Sequence, residues 1–102
     1  AFRANILVET HPETYDDGNH NMRDVLGKLF ERGYSVKWLV ADNYYGKRSH
    51  GVYLKKGYSD EHLVATFRMC DRAIYQNISR EDTLDFVCDT DLVRGVLLER
   101  KA

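Results

Sequence analysis

Apolar residues in this chain come in short bursts, and the breaks between them are polar or carry glycine. The first burst is Ile6-Leu7-Val8, after which the chain turns polar at once through Glu9, Thr10, His11 and the single proline, Pro12. A short continuous apolar run is the pattern of a strand buried on both faces. Pro12 has no N–H and biases His11 away from helical geometry, so residues 5–10 are predicted as a central strand. Residues 13–21 show no apolar period, and Asp17-Gly18 with Asn19 and Asn21 mark a loop whose asparagines can cap a helix. That helix is the clearest element. Met22, Val25, Leu26, Leu29 and Phe30 recur at the spacing of one helical stripe, and Gly33 stands where a left-handed C′ residue ends such a helix.

Tyr34, Val36, Trp38 and Val40 alternate with Ser35 and Lys37, which predicts a strand over 34–41 with Trp38 against the helix. Residues 42–51 read as a loop, and Val52-Tyr53-Leu54 as a short strand or a packing segment. Ser59 is placed as the N-cap of a second helix carrying Leu63, Val64, Phe67 and Cys70 to about residue 71. Residues 73–78 form a short strand or extended link. Ser79 with Asp82 three residues on opens a third helix through Leu84, Val87 and Cys88. Residues 94–100, apolar in the middle, are the last strand. Strand, helix and strand joined by short connections form a βαβ unit, so the expected fold class is α/β: one domain over 1–102, with a small, mostly parallel sheet and three helices packed on it.

Composition narrows the function classes. A chain of 102 residues with 43% apolar and 30% charged positions is an ordinary globular domain. Its formal net charge of −1 gives no field for nucleic acid, so a nucleic-acid partner is not expected. No apolar run approaches the ~20 residues that span a bilayer, and no signal-peptide pattern is present, so a membrane partner is not expected either. Cys70 and Cys88 both fall on apolar faces of the predicted helices. They read as buried, reduced thiols of a cytoplasmic protein, with a disulfide left open should the two helices be neighbours.

Glu9, His11, Glu13, Asp16, Asp17 and His20 gather acids and imidazoles within twelve residues at the carboxyl end of the predicted central strand. Open α/β sheets place their ligand crevices there. Glu9 with His11 could perform acid–base work, and His11, Glu13 and His20 could ligate a divalent metal. The plainer reading is a solvated loop, since no recognised ligand spacing such as His-Glu-x-x-His occurs. A second stretch, Tyr44 to Tyr58, interleaves aromatics with cations. Tyr44, Tyr45, Arg48 and Tyr53 are its candidate partner-binding residues, against the plainer reading of a solvated loop. No serine lies in a Gly-x-Ser-x-Gly elbow, and neither cysteine has a nearby activating cue.

Residues 6–13, Ile-Leu-Val-Glu-Thr-His-Pro-Glu, resemble a late core segment of FkbM-type methyltransferases, in which an apolar strand ends in a Glu-x-His-Pro-like signature. In that family a helix ending in Gly-Tyr follows, here Gly33-Tyr34, then a strand, a variable stretch and a final strand, here 94–101. The resemblance covers most of this chain but only the C-terminal portion of a family domain, the distal half of a Rossmann-like methyltransferase. It implies a last strand lying antiparallel between earlier ones. It also implies S-adenosylmethionine as cofactor, held by a Gly-rich turn after the first strand of the full domain and an acid after the second. Those features, and the family's Asp-x-Glu-Gly stretch, are absent here, the seven glycines being scattered as caps and turns. The expectation is therefore a methyltransferase-like C-terminal domain or remnant, not catalytic alone, with S-adenosylmethionine bound only if an N-terminal half precedes it. The alternative is a small oligomerising interaction module, such as a homodimer, using the Tyr44–Tyr58 surface, since a half-domain leaves a sheet edge and an apolar face to be covered. The third is a small metal-dependent enzyme.

Overall fold

A computed structural model describes residues 3–10 and 20–101. Five strands and three helices follow in the order β1 (Arg3–Glu9), α1 (His20–Glu31), β2 (Ser35–Asp42), α2 (Arg48–Lys55), β3 (Leu63–Phe67), β4 (Arg72–Tyr75), α3 (Arg80–Asp89) and β5 (Val93–Lys101). One 3-10 turn, Asp60–His62, precedes β3. The strands form a single sheet in the order β1-β5-β2-β4-β3. All four pairings are antiparallel.

This corrects the expected mostly parallel, Rossmann-like sheet, and the cause lies in residues 59–71. Leu63, Val64, Phe67 and Cys70 match a helical stripe, yet the segment forms β3, which folds back through a turn at Arg68–Asp71 onto β4. Asp71 takes φ 56° in that turn, a left-handed conformation that aspartate tolerates better than most residues. A helix there would have carried the chain back to run β4 parallel to β2. A hairpin instead reverses β4, and its pairing with β2 is antiparallel. The β-branched and aromatic content of Leu-Val-Ala-Thr-Phe was the opposing signal. The Val52-Tyr53-Leu54 segment is likewise part of α2 and not a strand.

The ends of the chain behave as the resemblance implied. β5 lies between β1 and β2 and is antiparallel to both, so β1 and β2 run in the same direction with α1 connecting them. α1 closes as its sequence predicted. The Tyr34 N–H donates to the Leu29 carbonyl (3.1 Å) and the Gly33 N–H to the Phe30 carbonyl (3.0 Å), with Gly33 at φ 94°. That double bond pattern is a Schellman cap, which satisfies two orphan carbonyls and requires a left-handed residue at its centre. α3 starts as predicted, the Ser79 side chain accepting from the Asp82 N–H at 3.0 Å.

One face of the sheet carries all three helices. Leu26 and Phe30 of α1, Tyr53 of α2, and Phe86 and Val87 of α3 form one core with Leu39, Ala41, Ala73, Tyr75, Val96 and Leu98 of the strands. Tyr53 stacks edge-on against Tyr75 (4.5 Å) and Phe86 (4.2 Å), so α2 and α3 meet over β4 through aromatic rings. Two bulges decide what faces the other way. Val36 pairs with Leu98 and Trp38 with Leu97, which makes Lys37 an extra residue. A bulge breaks the period of two, so strict alternation over 34–41 puts Trp38 and Val40 on the wrong face. The core takes Val36, Leu39 and Ala41, while Trp38 and Val40 turn to the side away from the helices. The second bulge inserts Arg94 between Val93 and Gly95, which pair with Ala41 and Val40.

Candidate functional site

The face that carries none of the described helices is apolar through its centre. Leu7, Leu97 and Trp38 are neighbours across three strands, and Gly95, Val40, Ile74 and Ala65 across four. Leu7 is 61% exposed and Phe67 46%. Alternation of apolar and polar positions would mark a solvated face, and these strands do not alternate in that way.

A pocket of about 350 Å³ opens on this face, lined by Leu7, Glu9, Thr10, Val40, Arg72, Arg94 and Gly95. It lies at the carboxyl ends of β1 and β2 and the amino ends of β4 and β5. Thr10 fastens that end of the sheet. It is 1% exposed, its N–H donates to the Arg94 carbonyl at 3.2 Å, and its hydroxyl donates to the Val93 carbonyl. These bonds hold β1 against the bulge that presents Arg94. Arg94 Nε donates to Asp42 Oδ2 at 2.9 Å, and Arg72 Nε stands 3.7 Å from Asp42 Oδ1. One carboxylate thus serves two guanidinium groups. Arg72 Nε is buried and makes no hydrogen bond among the described residues. A buried donor without a hydrogen bond is costly, and the Asp42 carboxylate beside it offsets part of that cost.

Of the residues predicted from the pattern, Glu9 is exposed and lies in the pocket wall. His11 and Glu13 lie outside the described residues, and His20 is the first residue of α1. Among the described residues no group of three or more His, Cys, Asp or Glu could hold a metal ion. Arg72, Arg94 and Asp42 went unpredicted as site residues. Asp42 ends a largely apolar strand, as Glu9 does, and that was the available signal. The two arginines come 30 and 52 positions later, and only the strand order brings them to it.

The Tyr44–Tyr58 stretch turns its aromatics largely inward. Tyr53 is 1% exposed and central to the core, so its ring is not part of a surface. Burial pushes its phenol pKa well up, and its hydroxyl has no hydrogen-bond partner among the described residues. Tyr44 is half-buried against Tyr45 (5.1 Å), His50 (5.6 Å) and Tyr75 (6.5 Å), and its pKa is raised by burial, then by Asp60 and Tyr45. Tyr45 remains on the surface, its hydroxyl donating to Thr66 Oγ1 at 2.9 Å and its ring beneath Arg68 at 4.6 Å. Arg48 pairs with Asp91 at 2.8 Å. Tyr45 and Arg48 are thus engaged within the chain. Exposed ion pairs of this kind contribute little to stability, so Arg48 can exchange its partner.

Both cysteines are free, Cys88 buried and Cys70 exposed in the β3–β4 turn, which corrects the predicted burial of Cys70. No described helix is long and apolar enough to cross a membrane. No protein family, curated protein or solved structure matches this chain.

Proposed function

We propose that this chain is a C-terminal portion of an FkbM-type methyltransferase domain, or a protein descended from one, and that it does not catalyse methyl transfer alone. The observation that carries the reading is the position of β5, inserted antiparallel between two strands that run in one direction and are joined by α1. The resemblance of residues 6–13, 33–34 and 94–101 to that family implies the same arrangement. Two further features suit it. Among the described residues β1 is an edge strand paired with β5 alone and the apolar face beside it carries no helix, so both are surfaces that further strands and helices would cover. In this reading S-adenosylmethionine belongs to the half that would precede β1, and Glu9 would face that half. Free thiols at Cys70 and Cys88 fit a reducing, cytoplasmic compartment.

A second reading follows from the same edge and face. A second copy pairing at β1 would cover them and make the chain a homodimeric interaction module. Sequencing the complete reading frame separates the two. The methyltransferase reading expects upstream residues with a Gly-rich turn, a longer product that binds S-adenosylmethionine, and no calorimetric heat from the present chain. A complete reading frame without such residues, together with a concentration-dependent dimer in sedimentation, would leave the module.

A further inference from the structure

We infer that β1 pairs antiparallel with β1 of a second copy, in the register that sets Ile6 opposite Ile6, and that the two α1 helices meet over the new strand pair. This rests on the homodimer reading above and gives it a register and a second layer of contact. The two edges of the sheet differ. β3 has five residues and a bulge at Val64, and both shortness and a bulge keep an edge from adding a strand. β1 has seven residues and matches β5 residue for residue, from Arg3 with Lys101 to Glu9 with Gly95, with no bulge. No charge or proline stands between its first and last residues. Among the described residues no strand lies on its outer side, so β1 is the unguarded edge.

The ends of β1 select the partner. The strand begins with Arg3 and closes with Glu9. In an antiparallel pair centred on Ile6, the Arg3 position of one copy stands opposite Glu9 of the other, and two-fold symmetry makes that match twice. Ala4 then stands opposite Val8, and Asn5 opposite Leu7. A parallel pair would set Arg3 against Arg3 and Glu9 against Glu9, and like charges directly opposite destabilise a sheet. Sliding the antiparallel pair by one residue would oppose positions on different faces. Sliding it by two would leave both charges without their match. The helix layer agrees. α3 packs on α1 and β2, and α2 reaches β4 through Tyr53 and Tyr75, so α1 is the outermost helix on the β1 side. Successive helical residues turn by about 100°. Leu26 faces the core, and Arg23 turns toward α3, where it meets Asp85 (3.9 Å) and Asp89 (3.6 Å). Val25 lies on the opposite flank, nearest the unguarded edge, and is 46% exposed. A second copy on β1 would bring the same apolar flank of its own α1 against it.

The test is sedimentation of the full chain over a range of concentrations, with disulfide cross-linking to read the register. A reversible dimer is expected. Asn5 and Leu7 are both exposed, so cysteines there leave the core intact. In a Cys70→Ser background, copies carrying Asn5→Cys and copies carrying Leu7→Cys should form a mixed disulfide on mild oxidation, and neither should link to its own kind. Arg3→Glu and Glu9→Arg should each weaken the dimer by about tenfold or more, and an equimolar mixture of the two should recover it. Val25→Lys should weaken it as well. Circular-dichroism melts of each variant separate lost pairing from lost structure. A strict monomer at every concentration would overturn the inference together with the homodimer reading. A dimer that links 5 to 5 or 7 to 7, or that neither charge reversal weakens, would overturn this pairing alone. A dimer that a folded Val25→Lys leaves unchanged would overturn the α1 contact.

Discussion

Replacing Tyr58 with Phe removes one oxygen atom and tests how the C-terminal helix is anchored. Tyr58 follows α2 and is 9% exposed, its ring against Phe86 at 6.0 Å and His62 at 5.1 Å. Its hydroxyl donates to Asp82 Oδ2 and accepts from the Ser79 N–H at 3.2 Å, joining the cap of α3 to the end of α2. The Tyr58 hydrogen bond is the main reason Asp82 holds its carboxyl below the ordinary value of 3.8, with Ser79 and Lys56 adding to it and burial opposing. A hydrogen bond to a charged group contributes about 1.5–3 kcal/mol. The Asp82 side chain keeps 25% exposure, so water recovers part of that, and about 1–2 kcal/mol is the expected loss. For a domain of this size that is a fall in Tm of roughly 5–15 °C. The sign of the pH dependence follows from the depressed value. A carboxylate whose pKa is lower folded than unfolded contributes stability above its unfolded pKa and loses it as pH falls through the folded value. The difference between wild type and Tyr58→Phe should therefore be full at pH 7 and shrink below about pH 4. Denaturant melts at pH 7 and at about pH 2.5 make the comparison. A difference that stays constant between the two, or a Tyr58→Phe protein as stable as wild type at pH 7, would refute the coupling.

Three more expectations test other parts of the structure. Gly46→Ala should shift stability in denaturant melts by no more than about 0.5 kcal/mol, because the atom that a Cβ there would displace is Asn43 Oδ1, the end of a side chain that can move aside on an exposed loop; a larger loss would contradict this reading. Thr10→Val keeps the shape but deletes the hydroxyl that bonds the Val93 carbonyl. A loss of about 1–2 kcal/mol is expected, with faster amide exchange at the Glu9 end of β1, and an unchanged midpoint would count against Thr10 as the fastening of the pocket. A thiol reagent should modify one cysteine per folded chain quickly. Cys70 is exposed, whereas Cys88 is 6% exposed and burial raises its pKa, so Cys88 should react slowly; two fast thiols would contradict the structure.

What could be read ahead of the structure was local. The α1 stripe and its Gly33 stop, the Ser79 cap, and strands near 5–10, 34–41, 73–78 and 94–100 all rest on contacts within a few residues, and each has its counterpart in the fold. The α2 helix was hidden because Gly51 sits in its middle and only Ser49 and Tyr53, one turn apart, are buried. The β3 strand was hidden by an accidental helical spacing of Leu63, Val64, Phe67 and Cys70. In the site, Glu9 was legible because a carboxylate ending an apolar strand must find a partner or water. Arg72 was not, since its meaning depends on Asp42 and Arg94, and no sequence period relates the three.

The sequence by itself determined where α1 ends, where α3 begins, and that β1 is an apolar strand ending in a polar corner. These follow from propensity, capping and side-chain period, which act over one or two turns of chain. Tertiary structure alone decided strand direction and facing. A hairpin in place of one helix made the sheet wholly antiparallel, and one extra residue at Lys37 turned Trp38 and Val40 away from the core. Both outcomes depend on pairings between residues far apart in the chain, where a one-residue shift exchanges the two faces of a strand. The same long-range pairings set two arginines on one aspartate beside a bare glycine, which is how a pocket forms where the sequence shows only separate strand ends.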